Sequence, residues 1–162
     1  MLWLAGLMGL MAVSTAVYVD LGDDDVEDEM EMPDPPQPTD RINLILGTNQ
    51  SESINGTDEA DRMSADDGDD LLFGGDGNDE ARGDEGNDTL AGDAGNDSLL
   101  GADGDDDIYG GTEDDTLIGQ NDDDYLFGED GDDALNGSDG DDRLSGGAGD
   151  DAISGGLGGD AL

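Results

Sequence analysis

A nine-residue period runs without insertion from Gly47 to Ser154, twelve units followed by a partial one, Gly155 to Leu162. The first position is Gly in every unit except at Ala65, and the sixth is acidic in all thirteen, from Glu52 and Asp61 through to Asp160. The eighth is always apolar: Ile54, Met63, Leu72, Ala81, Leu90, Leu99, Ile108, Leu117, Leu126, Leu135, Leu144, Ile153 and Leu162. A fixed short period marks a stacked repeat architecture, and nine residues are too few for a pair of helices.

Composition makes this pattern paradoxical. The chain carries 46 acidic residues and four Arg, with no His, for a net charge of −42. By composition alone such a chain is disordered. One modest apolar side chain per unit cannot offset the entropy of ordering the backbone, and charge repulsion worsens the balance. A solvated polyanion would not, however, need Gly and Leu in strict phase. Something cationic has to complete the fold.

The spacing indicates where it goes. Glycines at the first and fourth positions permit the positive dihedrals of a tight turn, and Asx residues at the fifth and sixth favour local turn bonds. The remaining three residues suffice for a minimal strand. A six-residue turn and a three-residue strand, used twice, make a coil of eighteen residues, with turns stacked at about the 4.8 Å strand spacing. This pairs sixth-position carboxylates eighteen residues apart, and bare carboxylates so placed repel. Ca2+ accepts six to eight oxygens from carboxylates and carbonyls in flexible geometry, and so converts the repulsion into binding.

The units "GGDGNDEAR", "GDEGNDTLA", "GADGDDDIY", "GEDGDDALN", "GSDGDDRLS" and "GGAGDDAIS" resemble the RTX, or haemolysin-type, calcium-binding nonapeptide repeats, GGxGxDxUx. The resemblance covers residues 47 to 162. It implies an all-β fold, a right-handed parallel β-roll (a solenoid of nonapeptide repeats), with several calcium ions between stacked turns, in a bacterial protein exported to the extracellular space or cell surface.

A strong site is expected where both stacked turns keep Gly at the fourth position and Asp at the sixth. Five pairs do so: Asp70/Asp88, Asp79/Asp97, Asp88/Asp106, Asp133/Asp151 and Asp142/Asp160. Glu113 and Asp122 replace the fourth-position glycine, which predicts weaker metal sites at Asp115 and Asp124 and a weak belt midway along the roll. The first two units, "GTNQSESIN" and "GTDEADRMS", lack that glycine and are expected to cap the roll, with "INLIL" (Ile42 to Leu46) as a starting strand. Phe73, Tyr109, Tyr125 and Phe127 flank the strands, where stacking between coils is expected ahead of a ligand site.

Residues 1–19 contain no charged side chain and are long enough as a hydrophobic helix to cross most of a bilayer core. They read as a membrane anchor, with membrane contact, or as a cleaved signal using Ser14 and Ala16 but lacking a basic n-region, ahead of a merely buried helix, which would need a globular core that this chain does not offer. Residues 20–41 read as an acidic, Pro-rich linker, and 42–162 as the roll. Ending in phase at Leu162 fits a truncated array, and the secretion signal that type I export would place beyond the repeats is not seen.

Catalysis has little support. Without His or Cys there is no triad and no HExxH zinc-protease signature, and no EF-hand loop is present. Carboxylate pairs repeated along the whole array are structural rather than catalytic, so the chain reads as no enzyme. The acidic balance also excludes nucleic acid as a partner. Two function classes follow: a structural or adhesive surface module, or the calcium-dependent folding and secretion module of a larger enzyme or toxin.

Overall fold

The computed structural model describes residues 42–162; the hydrophobic and linker segments expected at 1–41 lie outside them. No helix occurs among the described residues, so none there is long and apolar enough to cross a membrane. Thirteen strands follow one another: β1 Asn43–Leu46, β2 Ser53–Asn55, β3 Asp61–Asp67, β4 Leu71–Asp76, β5 Glu80–Glu85, β6 Thr89–Ala94, β7 Ser98–Asp103, β8 Asp107–Thr112, β9 Thr116–Asn121, β10 Tyr125–Asp130, β11 Ala134–Asp139, β12 Arg143–Ala148 and β13 Ala152–Leu157. Odd strands form a seven-stranded sheet in chain order and even strands a six-stranded one. Every pairing is parallel and advances eighteen residues, as in Leu72↔Leu90 and Leu90↔Ile108. The chain is therefore an all-β parallel solenoid with two strands per coil.

Eighth-position side chains fill the space between the sheets. Leu72, Leu90, Ile108, Leu117 and Leu126 are fully buried, and a single core runs from Ile54 to Leu144 with Ile45 packed against it. Each is covered by the same position one coil on. In the outermost coil that cover is missing, and Ile153 and Leu162 are exposed, contrary to their place in the pattern.

Strands and turns divide each unit differently from the six-plus-three expectation. Most strands span six residues, the seventh position through to the third of the next unit, leaving three for the turn. The parallel ladder makes the difference: it continues past the core residue but skips the first-position glycine, so that Phe73↔Ala91 is followed by Gly75↔Asp93. Positive φ falls at the second and fourth positions, not the first. At the second it is carried by non-glycine residues such as Asp84 (78°), Asp93 (72°) and Glu129 (76°).

Candidate metal centre

First-position glycines serve close approach rather than an unusual dihedral. A Cβ at Gly101 would lie 2.0 Å from Oδ2 of Asp106, the sixth residue of its own unit. At Gly92 it would lie 2.1 Å from Asp97 Oδ2 and 2.6 Å from the carbonyl oxygen of Gly110 in the next coil. The same pairing of a carboxylate oxygen with a stacked glycine carbonyl recurs beside Gly74, Gly83, Gly110, Gly128 and Gly137. The absent side chains thus make room for the carboxylate itself, whose Oδ2 stands beside the glycine Cα and, in these units, near a stacked carbonyl oxygen.

The sixth-position aspartates form two continuous ladders, one along each edge. From Asp70 onward, Oδ1 of each accepts a hydrogen bond from the backbone N–H eighteen residues earlier: Asp70 N–H to Asp88 (2.8 Å), Asp79 to Asp97 (2.7 Å), Asp88 to Asp106 (2.8 Å), Asp133 to Asp151 (3.1 Å) and Asp142 to Asp160 (3.2 Å). The five pairs expected from the sequence are therefore brought together, but through a carboxylate-to-backbone bond between coils rather than local turn bonds. A second, outward ladder at the fifth position runs the opposite way: Asn87 N–H donates to Asp69 Oδ1, and Asp141 N–H to Asp123 Oδ1. Sequence reasoning assigned these side chains to their own turns, because the eighteen-residue partner is apparent only once coils are stacked.

The inner aspartates are dry. From Asp61 to Asp142 every one is at most 3% exposed. Oδ2 of Asp70, Asp79, Asp88, Asp97, Asp106, Asp115, Asp124, Asp133 and Asp142 has no hydrogen-bond partner among the described residues. A buried carboxylate oxygen without a donor is costly, and an uncompensated buried charge more so. Burial accordingly raises these groups: Asp88 and Asp115 to about 6, Asp97 and Asp124 to about 7, Asp106 to about 8, and Asp70, Asp79, Asp133 and Asp142 in the same direction, with neighbouring carboxylates adding to the effect.

This donor set suits a hard cation. Carboxylate and carbonyl oxygens with no nitrogen or sulfur are the ligands of Ca2+. No three acidic side chains among the described residues gather into a ready ligand cluster, so main-chain carbonyls of the glycine-lined turns would supply the rest. Asp160 and Asp151 continue the ladders at their outer end, where Asp160 is half-buried.

The two irregular units depart less than their sequences suggest. Asp115 and Asp124 occupy the ladders like their neighbours, accepting from Asp97 N–H at 2.8 Å and Asp106 N–H at 3.0 Å. Glu113 and Asp122 take the glycine conformation at φ 76° and 72°, and Glu113 adds a carboxylate that accepts from Gly95 N–H. Weakness there would come from the strained dihedral, about 1–2 kcal/mol for a side chain in this region. Glu113→Gly is expected to raise the melting temperature at fixed calcium, by several degrees for about 1 kcal/mol in a domain of this size. An unchanged or lower melting temperature would show that the Glu113 carboxylate outweighs the strain.

At the start of the roll the carboxylates turn inward to their own units. Glu52 accepts from Thr48 N–H, and Asp61 Oδ2 from Thr57 N–H at 2.6 Å. These residues close their turns locally.

A family model described as the RTX calcium-binding nonapeptide repeat, in four copies, matches this chain at residues 46–81, 82–117, 100–135, 109–142 and 127–162. No curated protein matches the chain.

Proposed function

The chain belongs to the RTX calcium-binding nonapeptide repeat family, and from that premise we propose that its solenoid is a calcium-folded module that works outside a bacterial cell as a structural or adhesive surface element. The observation that carries this reading is the file of dry, unpartnered Asp Oδ2 atoms, which a bound cation would satisfy along both edges at once. Asp70, Asp79, Asp88, Asp97, Asp106, Asp133, Asp142, Asp151 and Asp160 would hold the ions, with Asp115 and Asp124 as strained members of the same ladders. Bound calcium would supply charge neutralisation, with no chemistry of its own. The protein's residues do the rest: glycines make room for the carboxylates, Oδ1 atoms tie coil to coil, and eighth-position side chains exclude water.

Extracellular sites of about 0.1 mM affinity each stabilise by about 1.4 kcal/mol at millimolar calcium. Five of them reach about 7 kcal/mol, the stability of a whole domain. Cytoplasmic calcium is far below that range, so folding would wait for export, through residues 1–19 acting as anchor or signal.

Protease treatment of intact producing cells tests the location. Calcium-dependent protection of a surface-accessible roll, lost on adding a chelator, is the expected result. A chain reached only after lysis would refute display. The other reading, a folding and secretion module for a larger enzyme or toxin, draws on the identical repetition of the site, which favours structure over catalysis. A coding sequence continuing into a catalytic domain would select it.

A further inference from the structure

All four aromatic residues of 42–162 lie on one sheet: Phe73 on β4, Tyr109 on β8, Tyr125 and Phe127 on β10. The other sheet presents no ring and carries instead the Arg62–Glu80 and Arg82–Asp84 ion pairs. On the aromatic face Tyr109 and Phe127 stack in successive coils, centroids 5.3 Å apart and planes 9° from parallel. Phe73 and Tyr125 are each 37% exposed.

Polar groups frame these rings in register. Tyr125 is paired with Asp107 on one side and with Arg143 on the other. The Arg143 guanidinium sits 4.9 Å from the Tyr125 ring centroid and donates to its hydroxyl. Residues 47–162 hold 36 acids and three Arg, a balance of −33. Arg143 nonetheless has no carboxylate partner among the described residues, unlike Arg62 and Arg82. An acceptor, a ring and a donor thus stand in one column beside a stacked pair of rings.

We propose that this face docks a neutral polysaccharide. The C–H face of a pyranose ring is apolar and flat, and packs on an aromatic face; the stack covers one face each of Tyr109 and Phe127, and their outer faces stand beside the small neighbours Ala91 and Ser145. Its vicinal hydroxyls match the planar forks of a carboxylate and a guanidinium, each of which engages two groups at once. Phe73, Tyr109 and Phe127 lie in one column along the sheet, interrupted at Ala91, and so offer a track rather than a pocket, which suits a polymer. The net charge repels acidic glycans, phosphate-rich polymers and anionic membranes, and a face-to-face second copy would bring two such polyanions together. A neutral chain meets no such barrier. The inference deepens the adhesive reading above and rests on the roll being folded in calcium.

Affinity electrophoresis of the calcium-loaded full chain tests it, through gels containing hydroxyethylcellulose, a β-1,3-glucan or a galactomannan, with alginate as the charged control. Retardation by at least one neutral polymer and none by alginate is expected. Tyr109→Ala with Phe127→Ala should weaken it about tenfold or more, and Arg143→Gln several-fold, while Leu100→Ala with Ile118→Ala on the opposite sheet leaves it intact. Circular dichroism in calcium accompanies each variant, and Arg143→Gln alone decides if the double variant does not fold. A folded parent that no neutral polymer retards overturns this inference alone; a parent unfolded in calcium overturns the calcium reading and this one with it. Retardation that survives the face substitutions, or a dimer in sedimentation that they disperse, also overturns it.

Discussion

Asp106→Ala is expected to raise the calcium concentration needed for folding several-fold and to remove calcium binding on both sides of its turn. Two losses coincide. The backbone N–H of Asp88, which donates to Asp106 Oδ1 at 2.8 Å, is left buried without an acceptor, at about 1–3 kcal/mol. An ion held by this carboxylate is lost as well, at about 1.4 kcal/mol in millimolar calcium. Asp106→Asn separates the two effects. The amide oxygen keeps the bond to Asp88, while the neutral amide removes the cost of burying an ionisable carboxyl, which in the metal-free roll must take up a proton because burial raises it to about 8. Asn should therefore make the metal-free roll more stable and calcium less effective, whereas Ala harms both forms. Calcium titrations of the three proteins, followed by far-UV circular dichroism, distinguish the cases. Parallel behaviour of Asn and Ala would mean that the unpartnered Oδ2 plays no part in metal binding.

Acid should replace calcium. In an unfolded chain these carboxyls titrate near 3.8, whereas in the metal-free roll burial lifts Asp88 and Asp115 to about 6, Asp97 and Asp124 to about 7 and Asp106 to about 8. A folded-state value raised above the unfolded one means that the folded state binds the proton more tightly. The stability it confers is complete below the unfolded value and is lost as pH rises through the folded values. The chelated protein is thus expected to hold its β structure near pH 4 and to lose it progressively up to about pH 8. Partial protonation of exposed carboxylates acts in the same direction by lowering self-repulsion. Circular dichroism of the metal-free chain across this range measures the effect; a coil spectrum persisting at pH 4 would contradict the burial of these groups.

Much of the architecture was legible at the nine-residue period. The eighth-position residues are the core from Ile54 to Leu144, and the sixth-position aspartates are the buried carboxylates. What the period concealed belongs to the eighteen-residue coil. The side chain of Asp88 serves the backbone of Asp70, not its own turn, and no local propensity encodes a bond between coils. The role of the first glycine was misassigned for the same reason. Its need is set by Gly110 O and Asp97 Oδ2 crowding the Cβ position of Gly92, contacts that exist only after stacking. Strand length followed the ladder rather than the turn residues, so Asp84 and Asp93 take positive φ without a glycine. The aromatic face could have been found. Phe73, Tyr109 and Phe127 differ by multiples of eighteen, as do Tyr125 and Arg143, and the parity of the unit number assigns each to its sheet.

The central claim is that calcium completes a fold whose own residues leave its buried carboxylates unsatisfied. Far-UV circular dichroism of residues 38–162 during a calcium titration at neutral pH, with magnesium as control, tests it most directly. A cooperative coil-to-β transition near millimolar calcium that magnesium fails to reproduce is the predicted result. A chain already folded in chelator at neutral pH, or one still a coil at about 10 mM calcium, ten or more times the affinity expected of such sites, would contradict it.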